Sequence, residues 1–161
     1  MKINLYWEMN DSQLAELYQV GKADGALDLV IFDASVTLDL FCLFARRQEV
    51  FGAVYDHNNK PLGFFYLNTF EGASARLHFC TFKAARENRH EIGRKVLKWC
   101  FETFEFKSLI GAVPVIYSGA CDYAREMGGR EIGWIPGMCW IERLKRTVGA
   151  LMFVFEPSEV K

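Results

Sequence analysis

Six basic side chains crowd into a short segment in the middle of the chain: Lys83, Arg86, Arg89, His90, Arg94 and Lys95. The segment leads into a predicted helix, and cations at a helix start are out of place because the helix dipole there favours anions. A bound anion would explain them, since free N–H groups at a helix N-terminus bind phosphate. The alternative is a solvated basic loop, which the same residues fit equally well.

One histidine nearby could carry a proton. His78 lies on the strand predicted before the basic segment, and it faces the same way as Arg76 and Cys80. An imidazole titrates near neutral pH, so His78 could act as a general base on an amine. The alternative is a histidine in the core or at its edge that is satisfied by one hydrogen bond.

A strand, a turn and a helix are predicted to position these residues. Residues 75–82 are apolar and rich in aromatics, as in a buried strand, and apolar residues recur at helical spacing over 90–104. The later elements are predicted as a strand over 108–115, a short helix over 118–127, and two strands, 130–143 and 148–155, that pair as a hairpin. Two further strands, 50–55 and 62–70, are predicted before them.

The N-terminal part is predicted to start with a half-buried strand, because apolar residues alternate with more polar ones at Ile3, Leu5, Trp7 and Met9. A helix over 12–20 follows and ends at Gly21. The run 27–32 fits a strand or a helix.

A second helix is predicted to run to residue 47. Its cap is Asp33 or Ser35, whose side chains accept hydrogen bonds from a first helical turn. The apolar residues expected to face the core are Leu40, Leu43 and Phe44.

Length and composition describe one folded domain. The chain has 161 residues, of which 51% are hydrophobic, and a formal net charge of −1, so no global basic field points to nucleic acid. No uncharged run reaches membrane-spanning length. The five cysteines are widely spaced and form no CxxC, so neither a disulfide framework nor a metal site is indicated. We expect a single domain over 1–161 in the reducing cytoplasm, with no metal, membrane or nucleic-acid partner.

The strand, turn and helix resemble the acyl-CoA-binding motif of the GNAT N-acetyltransferases. In that family the turn reads Arg/Gln-x-x-Gly-x-Gly/Ala, and its backbone amides hold the pyrophosphate of coenzyme A. In the best register Asn88 replaces the Arg/Gln, Glu91 replaces the middle glycine and Gly93 keeps the last one. Glu91 adds a negative charge near an anionic ligand, and like charges about 4 Å apart repel by ~4 kcal/mol at an effective dielectric near 20.

The order of the later elements resembles the family more closely than the turn does. GNAT chains read Asn-x-x-Ala-x-x-x-Tyr-x-x-x-Gly-Phe after the fifth strand, and the counterparts here are Ser118, Ala120, Ala124, Gly128 and Gly129. Alanine cannot donate the proton that the family's tyrosine gives to the leaving thiolate. Tyr117 or Tyr123 would have to reach the sulfur instead; otherwise both are amphipathic residues at the core edge.

The resemblance covers roughly residues 50–155 and implies a GNAT-like α/β (α+β) fold. The expected sheet is mixed and mostly antiparallel, with about six or seven strands and helices on both faces. Strands 75–82 and 108–115 would form a parallel, splayed pair. The Val-Pro at 113–114 is similar to that of some acetyltransferase-like chains encoded by bacteriophages.

The resemblance also implies an acyl-CoA-dependent N-acyltransferase that uses acetyl-CoA as co-substrate. An amine on a small molecule or peptide would attack the thioester directly, with His78 or water taking its proton and Tyr117 as the acid. Phe82 and Lys83 would hold the acyl and pantetheine part. The other residues implied for cofactor binding are Asn88, Arg89, His90, Ile92, Gly93, Arg94 and Ser118.

A catalytically inactive GNAT-shaped scaffold that binds protein is the alternative function. It is motivated by the replaced middle glycine, Arg/Gln, asparagine and tyrosine of the two motifs. Trp134, Trp140 and Phe153 in the predicted hairpin would then form a partner or homodimer surface. Ordinary sheet core is the other interpretation of these aromatics, and the one that we favour from the sequence.

Overall fold

A computed structural model describes residues 1–31 and 35–160. The strands are β1 (Lys2–Leu5), β2 (Val50–Tyr55), β3 (Pro61–Glu71), β4 (Ser74–Thr81), β5 (Ser108–Pro114), β6 (Arg130–Ile141) and β7 (Arg146–Phe155). The α-helices are α1 (Asp11–Ala23), α2 (Ala26–Val30), α3 (Leu38–Arg47), α4 (Arg89–Phe104) and α5 (Ser118–Glu126). The chain forms two compact units: unit 1 is Met1–Asn68 with His78–Arg89, and unit 2 is Thr69–Leu77 with the chain from His90 onwards.

The sheet is mixed and seven-stranded, in the order β1-β2-β3-β4-β5-β7-β6. The pairs β1–β2, β2–β3, β5–β7 and β6–β7 are antiparallel. β4 and β5 run parallel, with Ser74, Ala75 and Arg76 opposite Ser108, Leu109 and Ile110. The predicted mixed, mostly antiparallel fold is therefore confirmed, and so is the parallel orientation of its central strand pair.

The core of unit 1 is a cluster of aromatic rings. Phe41 on α3 is 0% exposed, and its ring centroid lies 5.8 Å from that of Tyr18, 5.9 Å from Phe51 and 6.0 Å from Phe64. Phe44 packs edge-on against Phe51. These contacts fix which side of α3 faces inward.

The predicted inward face of α3 is wrong for two of its three residues. Leu40 is 54% exposed and Leu43 is 43% exposed, whereas Phe44 is partly buried as predicted. Apolar residues at 40, 41, 43 and 44 permit two helix rotations, and the observed one buries the larger phenylalanine ring at position 41. The helix cap is Thr37, whose hydroxyl accepts the Leu40 N–H, rather than Ser35; Asp33 lies outside the described residues.

The first helix does not end at Gly21. α1 continues to Ala23, and the chain turns at Gly25, which has a φ of 74°. Gly21 is buried, and a Cβ there would lie 3.1 Å from Leu27 Cδ2. Glycine at this position therefore allows α1 to pack closely against Leu27. The following ambiguous run is helical over Ala26–Val30.

The N-terminal strand is shorter than its alternating pattern predicts. β1 ends at Leu5 and Tyr6–Glu8 form a 3-10 helix, so Trp7 leaves the sheet and is 65% exposed. Asn4 is buried instead. The alternating pattern therefore predicted the wrong buried residues for β1.

The terminal hairpin is confirmed, but its tryptophans are not core. Phe153 on β7 is 0% exposed, whereas Trp134 and Trp140 on β6 are 57% and 50% exposed. β6 is the last strand of the sheet, and its pairing with β7 shifts register between Glu131 and Gly133 and again between Ile135 and Cys139. Sheet core is therefore the wrong interpretation for Trp134 and Trp140.

Residues 1–31 and 35–160 contain no candidate membrane span and no candidate metal-binding cluster. In that part of the chain no helix is long and apolar enough to cross a membrane. The same residues include no group of three or more His, Cys, Asp or Glu side chains that could hold a metal ion. All five cysteines are free thiols.

Candidate functional site

The basic segment is helical rather than an open turn. Lys83–Asn88 form a 3-10 helix that leads directly into α4, since Arg89 at the junction has helical dihedral angles (φ −54°, ψ −38°). The unsatisfied N–H groups of a helix start therefore belong after Phe82, not at His90. One of these N–H groups, that of Lys83, already donates to a carboxylate of this chain, Asp24 Oδ2, at 2.5 Å.

Two basic side chains of the segment contact carboxylates of this chain. His90 Nε2 lies 2.5 Å from Glu126 Oε2, and Lys95 Nζ lies 2.5 Å from Glu91 Oε1. The hydrogen bond from Lys95 and its charge lower the pKa of Glu91. Glu91 therefore points along α4 towards Lys95, and its negative charge is matched locally.

The segment has four other basic side chains, of which Lys83 is exposed. Arg86 is exposed and Arg94 is half-buried; the ion pairs of the described residues include neither side chain. The charge of Arg94 also contributes to the lowering of the pKa of Glu91. Arg89 is half-buried and has a partner of its own.

Gly93, the surviving glycine of the resemblance, brings α4 against α5. It is buried, and a Cβ built on it would lie 2.3 Å from Tyr123 Oη and 2.8 Å from Met127 Cε. The His90 ring lies 5.4 Å from the Tyr123 ring in the same contact. Gly93 is therefore required for helix packing, whether or not a ligand binds.

We expect Gly93→Ala to destabilise the protein by about 1–3 kcal/mol, the range for overpacking a filled site. The alanine gains roughly 1 kcal/mol of helix propensity, but its methyl overlaps Tyr123 Oη. Adding Tyr123→Phe removes that oxygen and should recover part of the loss. Urea unfolding of the wild type, the single variant and the double variant measures both effects, and equal losses in the two variants would contradict this packing.

His78 lies in a stacked pair on β4. Its ring is parallel to that of Tyr66, with centroids 4.2 Å apart and 6° between planes, and Tyr66 Oη donates to the Val30 carbonyl at 3.2 Å. Desolvation raises the pKa of the nearby Cys80 thiol to about 12, so this thiol is protonated at neutral pH. The ring stack was not predicted, because nothing in the sequence indicates which residue of β3 faces His78.

Three of the predicted cofactor-binding residues have buried positions. Phe82 is 1% exposed, with its ring 6.2 Å from Phe64 and its N–H bonded to the Leu62 carbonyl at 2.8 Å. Ile92 and Gly93 are buried on α4. These three residues pack in the core. The predicted residues that reach the surface, fully or in part, are Lys83, Asn88, Arg89, His90, Arg94 and Ser118.

Tyr117 is the N-terminal cap residue of α5 and lies three residues after the end of β5. Its N–H donates to the Pro114 carbonyl at 2.9 Å, and its carbonyl accepts from the Cys121 N–H at 3.1 Å. The Arg143 guanidinium lies 5.7 Å from the ring centroid. The hydroxyl oxygen is buried, and within the described residues it has no hydrogen-bond partner. A buried hydroxyl left unsatisfied is costly, which favours a ligand or water contact there.

The spacing of the second motif needs one correction. Counted back from Ala120, Ala124 and Gly128, the asparagine position falls on Tyr117 and not on Ser118. Tyr117 is also the cap residue of α5, whereas Ser118 is its first helical residue and is exposed. The structure therefore places Tyr117 at the start of α5, where the motif has its asparagine.

The same fold occurs in solved acetyltransferase structures. Spermidine N-acetyltransferase from Vibrio cholerae, in complex with CoA and spermine, is similar with a TM-score of 0.79 and 13% identity, over 99% of this chain and 96% of that chain. A GNAT-family acetyltransferase from Bacillus anthracis gives 0.78 at 10% identity over 99% and 97%. Ribosomal-protein-alanine N-acetyltransferase from Brucella melitensis gives 0.72 at 16% identity over 97% and 99%.

These likenesses establish the fold. A scan against protein-family models gives no match, and a search of curated proteins gives none either. The chain thus has the GNAT acyl-CoA N-acyltransferase fold predicted from its element order, at an identity too low to carry over any residue's role.

Proposed function

We propose that this chain is an acyl-CoA-dependent N-acyltransferase that moves an acetyl group to an amine. The observation that carries the proposal is the match of nearly the whole chain to acetyltransferase structures, one of them with CoA and spermine bound. The acceptor is an amine of a small molecule or peptide. The alternative of a protein-binding scaffold is not favoured by neighbours that are named as acetyltransferases.

The chemistry proposed is direct transfer. The amine nitrogen attacks the thioester carbonyl, a C–N bond forms, and the C–S bond breaks with its electron pair leaving on sulfur. The nitrogen's proton passes to His78 or water, and Tyr117 returns a proton to the thiolate. Cys80 is not an acyl carrier in this scheme, because the raised pKa of its thiol keeps it protonated.

The donor-binding residues proposed are the ones predicted from the sequence. Lys83, Asn88, Arg89, His90 and Arg94 offer side chains at or near the surface. Phe82, Ile92 and Gly93 are buried, so we propose that they shape the donor site from the core and make no polar contact with the donor. Ser118 completes the proposed set. A homodimer, a cytoplasmic location and a phage-like origin stay predictions.

The test is acetyl transfer from acetyl-CoA to a panel of polyamines and of peptides with free N-terminal amines, with products detected by mass. We expect at least one amine to be acetylated. His78→Gln should lower kcat/KM about 100-fold, the lower end for loss of a general base, while the control His57→Gln on an exposed loop should not. No transfer, with no CoA binding at about 1 mM, would overturn the proposal; normal activity of His78→Gln would assign the proton to water.

A further inference from the structure

Glu126 is held against the basic segment although its own helix disfavours it. It is the last residue of α5, where the dipole favours cations over carboxylates. The compensating contact is with His90, whose Nε2 lies 2.5 Å from Glu126 Oε2. One turn earlier on α5, the Tyr123 ring packs against the His90 ring at 5.4 Å. The imidazole is thus fixed from two sides.

This contact leaves few hydrogen-bond donors at residue 90 that could bind a phosphate. The 3-10 helix before α4 removes the open helix start whose amides would bind one. Among the side chains proposed to bind the donor, the imidazole of His90 already contacts a carboxylate of this chain, that of Glu126. A phosphate oxygen arriving there would break the contact and meet the negative charge of Glu126.

We propose that Glu126 takes, at His90, the place of a donor phosphate, so that the nucleotide diphosphate adds little to binding and acyl-pantetheine serves this chain nearly as well as acyl-CoA. This inference rests on the proposed function. Both donors carry the same thioester, so the bonds made and broken are the same: C–N forms, C–S breaks, and the thiol leaves with the proton that the amine gives up. The other cations of the segment act on the diphosphate only as exposed charges (Lys83, Arg86) or half-buried ones (Arg89, Arg94), which salt screens.

The experiment compares acetyl-CoA with S-acetylpantetheine as donors, and CoA with pantetheine by calorimetry. For the wild type we expect kcat/KM values within about tenfold of each other. Glu126→Gln should tighten CoA at least tenfold and leave pantetheine unchanged, because the amide keeps its size and loses its charge. The matched control is Glu102→Gln on α4, whose partner Lys98 lies 3.8 Å away; it should change neither ligand.

A second variant keeps the test independent of folding. In the Glu126→Gln background, adding His90→Gln should remove the gain in CoA affinity, while circular dichroism shows the fold retained. A hundredfold wild-type preference for acetyl-CoA, or CoA affinity unchanged or weakened in Glu126→Gln, overturns this inference alone. Absence of transfer from both donors overturns the proposed function, and the inference with it.

Discussion

Phe41→Ala is expected to lower the free energy of unfolding by about 4 kcal/mol. The side chain is 0% exposed, and its ring meets those of Tyr18, Phe51 and Phe64. Truncation removes the transfer free energy of the ring and leaves a cavity, which together cost 3–5 kcal/mol in typical cores. Urea unfolding followed by far-UV circular dichroism measures the loss.

Leu40→Ala is the matched control, because it lies on the same helix and is 54% exposed. We expect its effect to stay within about 0.5 kcal/mol, as for other surface substitutions. A loss at Leu40 as large as that at Phe41 would mean that α3 packs with the rotation predicted from the sequence, and not with the one described.

Gly63→Ala is expected to destabilise by about 3 kcal/mol, the upper end for overpacking. A Cβ at Gly63 would lie 2.2 Å from the Cys80 carbonyl oxygen and 3.1 Å from Thr81 Cα. Both are backbone atoms, so no side-chain rotation relieves the clash and β4 itself must move away from β3. For a chain of this size the melting temperature should fall by about 6–12 °C.

Gly119→Ala is the control for this prediction. Gly119 lies in α5, and no atom of the described residues is within 4 Å of the added methyl group, so alanine should stabilise by up to about 1 kcal/mol through helix propensity. Thermal unfolding of both variants separates a clash from a general effect of removing glycine. If Gly63→Ala melted as the wild type does, the close approach of β3 and β4 would be disproved.

Element order could be predicted because each element carries its own local signal. The apolar run of β4, the helical spacing of α4 and the turn formers between β2 and β3 identify their structures without tertiary information. The predicted bounds of β4, α4 and β2 lie within one or two residues of the observed ones, Ser74–Thr81, Arg89–Phe104 and Val50–Tyr55. Their parallel and antiparallel arrangement followed from the resemblance and from connection lengths.

Burial and pairing could not be predicted, because they depend on partners distant in the chain. The rotation of α3 is decided by rings on α1, β2 and β3 rather than by its own pattern. Trp134 is exposed because β6 is the last strand of the sheet. The anion that meets His90 is Glu126, on another helix, whereas residues nearby in sequence offered only Glu91.

The edge position of β6 has a consequence for how the protein behaves at high concentration. An uninterrupted edge strand is a template on which another chain can add a strand and start a fibril. β6 breaks that row of backbone groups at two register shifts, and the second spans Pro136 and Gly137, which has a φ of 62°. Proline also removes one donor. Two copies of the protein can therefore associate at this edge through the exposed side chains of Trp134 and Trp140, but not by backbone pairing. Such association is reversible, and it is favoured over amyloid growth.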